Sequence, residues 1–417
     1  MALEEMGGTW IKLGQTLALR FDLLPPPYCH ELFGLLNRVP PFSSSEVERI
    51  VHSELGRDLQ EVFAHFTHEP FGAASIGQVH DAVLRSGERV AVKVQRPGIE
   101  RLIATDISLM YMVSRLLDLT HVLGGTRSRD VIDEFARWTR DELDYTVEAR
   151  NASTLREDAP AGETGYYPAV HLDSTTRRVL TTERLEGILL VDVIRDLRSD
   201  REGCTSRLRA AGYDLDRAAS NIVWNFLHQV YAVGVFHADL HPANLLLLPG
   251  DRIGYVDFGI IGRLPDSVRE SLVRYAGSLF TGDADAAVGE FLRWAQPSPA
   301  TDPVAARDEM IGLTERFLFD FDHAGSGRRA LMAQYQVALL AVTRAHRMAI
   351  DPVVVLYAKT VLTIDSVTSE LSPALDLQSL HLRFFGELII EGIGVCGVDS
   401  PGSGSSGEQM TEGDRDG

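Results

Sequence analysis

This 417-residue sequence has few lysines and cysteines, fewer basic than acidic residues, and no long apolar run. Acidic side chains outnumber basic ones by 59 to 40, and the resulting net charge of −19 argues against nucleic acid as a partner, because a phosphate backbone requires a basic surface. The three cysteines, Cys29, Cys204 and Cys396, lack metal-ligand spacing and are typical of free thiols in a reducing compartment. No run approaches the roughly 18 uncharged apolar residues of a membrane-spanning helix, and the start MALEEMGG lacks a signal-peptide pattern. We therefore expect a cytoplasmic protein whose contact with a membrane is at most peripheral.

Only three of the 40 basic residues are lysines, namely Lys12, Lys93 and Lys359. Arginine fills the other basic positions, so the few retained lysines indicate sites that need a compact point charge instead of a planar guanidinium. Lys93 lies near the end of the strand-like residues 89–94 and matches the strand lysine of V-A-I-K, which binds nucleotide phosphates in protein kinases. The alternative interpretation is a lysine exposed to solvent at a strand end.

The segment His237-Ala238-Asp239-Leu240-His241-Pro242-Ala243-Asn244, followed by Asp257-Phe258-Gly259, has the arrangement with which kinase-type enzymes bind nucleotide and metal. Mg²⁺ prefers oxygen ligands in a compact octahedral shell, so Asn244 and Asp257 are the predicted metal ligands. Asp239 is predicted to face the transferred phosphoryl group as the catalytic carboxylate. His237 and His241 flank it and are expected to support the loop through hydrogen bonds.

A loop rich in small residues precedes the lysine strand, where a protein kinase has its glycine-rich loop. Small side chains let backbone amides approach phosphate oxygens, but alanine resists the positive-φ conformations that glycine adopts freely. We therefore expect this loop to be stiffer than a glycine-rich loop and to hold nucleotide differently. Its predicted nucleotide-contacting residues are Gly72, Ala73, Ala74, Ser75, Ile76, Gly77, Gln78 and Val79.

Five ordered motifs resemble those of the UbiB family of atypical kinases, also called ABC1, ADCK or AarF proteins, over residues 1–390. They are Lys12-Leu13-Gly14-Gln15 (K-x-G-Q), the alanine-rich loop, Glu142-Leu143-Asp144 (E-x-D), the segment carrying Asp239 and Asn244, and Asp257-Phe258-Gly259. The sequence departs from the family pattern at Gly72, at Ala243 and at Leu36-Asn37. Two of these positions are beside the expected phosphates, so nucleotide preference or turnover is expected to differ from relatives. Helices that precede the K-x-G-Q motif in relatives are expected to be missing, or the start of the chain to be misplaced.

The resemblance implies an α+β, two-lobed protein-kinase-like fold with a helical N-terminal extension, inserted helices and a mostly helical large lobe. We assign residues 1–55 to the extension, 56–183 to the small lobe, 184–395 to the large lobe and 396–417 to a disordered tail. Within these, residues 99–123 are predicted to form an inserted helix, 130–156 an acidic helix, 214–233 a long buried helix, and 266–395 to be helical throughout.

The carboxylates of the acidic helix are assigned to the two lysines that precede it in the chain. Glu148 is predicted to pair with Lys93, whereas Glu142 and Asp144 are predicted to face Lys12, with Gln15 on the same helix as Lys12. The backbone at Glu183 and Leu185, in the connection between the lobes, is predicted to contact the adenine ring. Solvated acidic faces are the alternative for such helices.

The segment after Asp257-Phe258-Gly259 is too short for the activation segment of a protein kinase. Ser267-Val268-Arg269-Glu270 is interpreted as a capping box that opens a new helix, and Ala238 replaces the arginine of H-R-D. We therefore predict an ATP- and Mg²⁺-dependent atypical kinase or ATPase that does not phosphorylate proteins in trans.

The resemblance places this activity in isoprenoid quinone or related lipid metabolism, with a prenyl lipid or quinone precursor as a partner beside the nucleotide. Two alternatives stay open at this point. One is a nucleotide-gated lipid- or partner-binding module with little catalysis, and the other is a protein kinase.

Overall fold

The computed structural model describes residues 8–17, 28, 31–32, 40–73, 75–117, 128–158, 164–323 and 328–390. The residues predicted to form a disordered tail, together with Ala74, Cys29 and Cys396, lie outside this part of the chain. Up to the end of the small lobe, the elements in chain order are α1 Gly8–Leu17, α2 Ser44–Leu55, α3 Leu59–Val62, β1 Phe63–Phe66, β2 Gly72–Ala73, β3 Gly77–Leu84, β4 Arg89–Gln95, α4 Ile99–Leu117, α5 Ser128–Glu142, α6 Tyr145–Glu157, β5 Gly165–Tyr166 and β6 Val179–Glu183.

The small lobe is built on an antiparallel five-stranded sheet in the order β1-β3-β4-β6, with β2 paired to β3. Val90, Val92 and Val94 alternate along β4 and are fully buried against Val47 and Ile50 of α2. Because successive side chains of a strand point to opposite faces, this alternation directs Lys93 to the other face of the sheet. That second face is covered by α6, whose Tyr145 and Ala149 pack with Leu180 of β6.

The predicted inserted helix is present as α4, which packs against α5 and α1 in a separate apolar cluster. The single acidic helix predicted at residues 130–156 is wrong, because the chain forms two helices that are interrupted at Leu143-Asp144. Asp144 has extended backbone angles of φ −118° and ψ 93°, and its side chain accepts a hydrogen bond from the Thr146 amide at 3.0 Å. Aspartate caps helices in this way because its carboxylate satisfies an amide that has no partner within the helix.

The large lobe is mostly helical and contains the main apolar core, which includes Ile222, Phe236, Leu272, Leu339 and Val367. Its elements in chain order are β7 Ile188–Leu189, α7 Leu190–Ser199, α8 Arg201–Ala210, α9 Leu215–Leu227, a π-helical turn His228–Val233, β8 Val235–His237, β9 Leu245–Leu247, β10 Ile253–Tyr255, β11 Ile261–Arg263, α10 Asp266–Thr281, α11 Ala284–Leu292, β12 Ala295–Pro297, α12 Pro303–His323, α13 Arg328–Ala345, β13 Met348–Ile350, α14 Pro352–Leu371 and α15 Leu377–Ile390.

Two details of the large lobe correct the sequence analysis. Residues 266–395 are not helical throughout, because β12 and β13 form an antiparallel pair between helices. The capping box predicted at Ser267 does not form, since α10 begins one residue earlier, at Asp266, after Pro265 and without a side-chain cap.

The long helix predicted at residues 214–233 is α9 together with the π-helical turn that follows it. Asp214 caps its start by accepting from the amides of Asp216 and Arg217, and Gly234, with φ 81°, ends it. The chain then enters β8, which pairs with β11, and this pairing fixes the loop between β8 and β9. Within the described residues, no helix has the length and apolarity that are needed to cross a membrane. Small antiparallel sheets and a mostly helical large lobe confirm the predicted α+β, two-lobed architecture.

Candidate active site

Lys93 connects the two lobes through three hydrogen bonds. Its ammonium donates to Glu148 Oε1 and Oε2 at 3.0 and 2.9 Å, and to Asp257 Oδ2 at 3.1 Å. The same nitrogen lies over the ring of Tyr145, 5.2 Å from the ring centroid. Burial on its own lowers the pKa of Lys93, but Asp257 and Glu148 outweigh this effect and hold the pKa well above its ordinary value. The side chain is therefore a fixed cation in the cleft between the lobes.

The Asp257-Phe258-Gly259 segment is held in place by α6. Asn151 Nδ2 donates to the Phe258 carbonyl at 2.9 Å, and the Phe258 amide faces Glu148 Oε1 at 3.4 Å. Burial opposes ionisation of Asp257, yet the ammonium of Lys93 and the amide of Gly259 lower the pKa of this carboxyl to about 2. Asp257 is therefore ionised at neutral pH and directed toward the small-lobe lysine.

The loop between β8 and β9 places Asp239 and Asn244 next to each other. Asn244 Nδ2 donates to Asp239 Oδ2 at 3.0 Å and to the Asp239 carbonyl at 3.1 Å. His237 Nδ1 accepts from the Asp239 amide at 3.2 Å, so its Nε2 carries the proton and donates to the Asp257 carbonyl. Burial lowers the pKa of His237, which keeps the ring neutral and suits this tautomer. His237 thus links the loop between β8 and β9 to the Asp257 segment, while His241 accepts from the Ala243 amide within the same loop.

Lys359 is a residue of the site that the sequence analysis did not assign to it. It lies on α14, and its Nζ lies 3.6 Å from Asp239 Oδ1, with the side chain 13% exposed. The neighbouring Thr360 faces the Ala238 carbonyl, at 3.4 Å, from the same helix. The scarcity of lysine was the available signal, because the other two lysines of the chain, Lys93 and Lys359, both lie close enough to Lys12 to lower its pKa.

The N-terminal helix α1 brings Lys12 close to Asp257 and Asp239. Lys12 forms an ion pair with Glu142 at the end of α5, and a β-carbon at Gly259 would lie 3.7 Å from Glu142 Cγ. Burial lowers the pKa of Lys12 to about 8, and the nearby ammonium groups of Lys93 and Lys359 act in the same direction, whereas Asp257 and Asp239 oppose them. The predicted pairing of Lys12 with Glu142 is thus present.

Asp144 does not face Lys12, in contrast to the prediction. Its carboxylate caps α6 through the Thr146 amide and hydroxyl, and it lies 3.7 Å from Arg177. The reason is the interruption of the acidic helix, because Asp144 becomes the N-cap residue of α6 and its side chain turns toward the first turn of that helix. The side chain of Gln15 lies outside the described part of the structure.

The small-residue loop and the connection between lobes border the same cleft. Gly72 and Ala73 form β2, Val79 pairs with Lys93 across β3 and β4, and Ser75 and Ile76 lie in the turn between β2 and β3. Gly77 is required by close approach, since a β-carbon there would lie 2.5 Å from the Tyr145 hydroxyl and 2.6 Å from the Val94 carbonyl.

Three of the residues predicted to contact the nucleotide have side chains with other partners. Gln78 is buried and hydrogen bonds to both backbone groups of Phe42, so its side chain anchors the segment before α2. The carboxylate of Glu183 accepts from Tyr166 at 2.6 Å and from the Ala169 amide at 3.1 Å, which leaves only its backbone for the predicted adenine contact. Leu185 is buried with Leu246 and Leu248 in a small apolar cluster below the cleft.

A strand lysine, its helical carboxylate partner and an acidic segment from the large lobe define the class of two-lobed, protein-kinase-like proteins. A family model described as the ABC1 atypical kinase-like domain matches residues 34–290, and the chain belongs to this family. A protein named "Probable protein kinase UbiB" from Marinobacter nauticus is 33% identical over 95% of this chain and 71% of its own length. An uncharacterized protein of Mycobacterium tuberculosis, Rv0647c, is 34% identical over 80% of this chain and 68% of its own length.

A solved structure shares the fold at lower identity. The complex of Rv3197 with erythromycin from Mycobacterium tuberculosis matches with a TM-score of 0.60 and 23% identity, over 92% of this chain and 93% of that one. Family membership and kinase-like fold are thereby confirmed. The roles of the individual site residues stay predictions.

Proposed function

We propose that the protein binds ATP with Mg²⁺ in the cleft between its lobes and transfers the terminal phosphoryl group to water or to a small molecule. The supporting observation is the ammonium of Lys93, which hydrogen bonds to carboxylates from both α6 and the Asp257 segment. The proposed role of Lys93 is to bind the α- and β-phosphates, and that of Asp239 is to orient or deprotonate the attacking hydroxyl. Lys359, next to Asp239, supplies a second cation where negative charge develops during transfer.

The residues fit magnesium better than a transition metal. In the described part of the chain, no three histidine, cysteine, aspartate or glutamate side chains converge on one point. Mg²⁺ typically uses one or two protein carboxylates or amides and completes its shell with water and phosphate oxygens. Asp257, ionised because its pKa is about 2, and Asn244 are the proposed protein ligands. When bound, the metal would neutralise phosphate charge during transfer.

Transfer to a protein substrate is not part of the proposal. Between Gly259 and α10 the chain forms only β11 and a short link, and β11 is paired with β8. The proposal includes that α1, which is joined to α5 through Lys12 and Glu142, occupies the side of the site on which a peptide would lie. The family's implied role in isoprenoid quinone or related lipid metabolism supports a small-molecule acceptor or a regulatory ATPase cycle, with contact to a membrane at most peripheral.

The test is Mg²⁺-dependent ATP binding and hydrolysis by the intact chain and by Asp257→Asn. The substitution should abolish hydrolysis, and because Glu148 still pairs with Lys93 and the Asp257 side chain is 40% exposed, the variant should still fold and unfold cooperatively, with a moderately lower melting temperature. Asp196→Asn, an exposed position on α7, is the matched control and should leave both properties unchanged. Full hydrolysis by Asp257→Asn would refute the metal assignment.

A second candidate, a nucleotide-gated binding module, is favoured by the position of α14. One face of this helix presents Lys359 to Asp239, and the opposite face, with Tyr357 and Val361, lines a large apolar cavity. If occupancy of the cleft controls ligand binding, Asp239→Asn should retain nucleotide-stimulated ligand binding while hydrolysis is lost. Loss of both properties would favour the enzyme.

A further inference from the structure

The large lobe contains a cavity of about 450 Å³ that is separate from the nucleotide cleft. Helices α9, α10, α12, α13, α14 and α15 form its walls. Protein interiors are packed so closely that they leave few spaces larger than one water molecule. A volume of this size instead falls within the range of small-molecule binding sites, which is roughly 300–1,000 Å³. The family motifs and the proposed phosphoryl transfer make no use of it.

The walls of the cavity are apolar over most of their area. Aromatic side chains contribute from several helices, among them Phe226, Phe280, Phe317 and Phe385. The hydroxyls of Tyr231 and Tyr357 bond to each other at 3.0 Å, so neither requires a ligand partner. The body of a suitable ligand is therefore hydrocarbon.

Among the described residues of the lining, Gln336 carries a buried oxygen without a hydrogen-bond partner. Gln336 Oε1, on α13, is buried and accepts no hydrogen bond within the protein. Buried polar groups are almost always hydrogen bonded, because an unpaired one loses its interaction with water without compensation. A ligand that donates a hydrogen bond to this oxygen would remove the penalty.

The charges of the lining select against an anion. Asp365 and Asp376 contribute carboxylates, and the described residues that line the cavity include no lysine or arginine. His381 does not provide a cation, since burial lowers its pKa while its Nδ1 bonds to the Leu377 carbonyl at 2.6 Å. Among the described lining residues, a carboxylate or phosphate head would meet like charge and no counter-ion.

We propose that this cavity binds an apolar small molecule whose single polar end is a hydrogen-bond donor, such as an alcohol, directed at Gln336. The assignment is independent of nucleotide turnover, because it concerns a different set of side chains. Failure of ATP hydrolysis would not affect it.

Three probes with the same hydrocarbon tail test the proposal on the full chain without nucleotide. Dodecan-1-ol carries a donor, dodecyl methyl ether keeps the oxygen without a donor, and dodecanoate carries a negative charge. Isothermal titration calorimetry below the micellar concentration should show one saturable site for the alcohol. The ether should bind about tenfold more weakly, because it cannot donate a hydrogen bond to Gln336, and the carboxylate should bind more weakly still, because it lacks the donor and is charged.

Substitutions identify the site. Gln336→Leu should remove the difference between alcohol and ether, whereas Gln334→Leu, on the exposed face of the same helix, should preserve it. Ala276→Trp fills the cavity from α10 and should abolish binding of all three probes, with folding checked by circular dichroism. The absence of saturable binding, equal affinity for alcohol and carboxylate, or an unchanged alcohol preference in Gln336→Leu would each overturn the proposal. None of these three outcomes depends on the folding of Ala276→Trp.

Discussion

Replacing Lys93 with methionine should destabilise the fold before any nucleotide is considered. The Glu148 side chain is only 5% exposed, and both of its oxygens accept from Lys93. Removing one member of a buried ion pair leaves an uncompensated charge and costs about 3–5 kcal/mol. Because Lys93 itself is 16% exposed, so that some water reaches the pair, we expect the lower end, about 3 kcal/mol. The free energy of unfolding from urea titration at pH 7 measures this loss.

The loss should shrink as the pH is lowered. Burial raises the pKa of Glu148 above its ordinary value of 4.5, and removal of the ammonium strengthens this shift. Between the raised pKa of the folded state and 4.5, the folded variant binds a proton that the unfolded chain does not, so lowering the pH through this window favours folding. Lys93→Met should therefore lose less stability near pH 5 than near pH 7, relative to wild type.

A second substitution separates the structural role of Lys93 from its nucleotide role. Lys93→Met combined with Glu148→Gln should recover most of the stability, because the Glu148 charge is removed and the remaining partner, Asp257, is 40% exposed, but it should not recover ATP binding. Arg383→Met, which removes an exposed partner of Glu387, is the control and should cost about 1 kcal/mol or less. The reasoning would be refuted if Lys93→Met kept wild-type stability at pH 7 and bound nucleotide.

Three further predictions concern the elements around the cleft. Because the chain has only three lysines, acylation followed by mass spectrometry resolves the reaction of each one. At pH 8, Lys12 should react at least about tenfold faster than Lys93, because the two side chains are similarly exposed but the pKa of Lys12 is lowered and that of Lys93 is raised. Equal rates would contradict the assigned charges. Gly77→Ala should lower the free energy of unfolding by about 2 kcal/mol, since its β-carbon would lie 2.6 Å from a carbonyl of β4, whereas Gly72→Ala, with 4.0 Å to its nearest neighbour, should be tolerated. Asp144→Ala should cost about 1 kcal/mol through loss of the α6 cap, measured by thermal melting, and a loss of ATP binding without a loss of stability would show that its role was assigned wrongly.

Local patterns in the sequence predicted the elements that carry the site. The alternation of Val90, Val92 and Val94 directs Lys93 to the opposite face of its strand, and this follows from the period of two in any β-strand. The scarcity of lysine and the acidic residues after Lys93 predicted that Glu148 would pair with Lys93 and that Glu142 and Asp144 would face Lys12. The contacts of Glu148 and Glu142 are present, whereas Asp144 caps α6 instead. Such features depend on residues near each other in the chain or on motifs that have a known arrangement.

Other features were decided by packing between distant segments. No local pattern distinguishes Lys359 from an interruption in an apolar helix, and only the position of α14 against the catalytic loop brings it to Asp239. Periodicity also missed the interruption at Asp144, because one capping residue outweighs the helical propensity of its neighbours. The cavity beside α14 has no signal in the sequence, since its apolar residues have the same helical spacing as those of a filled core. Only the packing of the six surrounding helices shows that a volume between them is left empty. The sequence by itself thus determined the family, the strand that presents Lys93, and the carboxylate that pairs with Lys93. The tertiary structure decided that Lys359 lies beside Asp239 and that a cavity lies beside α14, because local periodicity does not encode the packing of distant side chains.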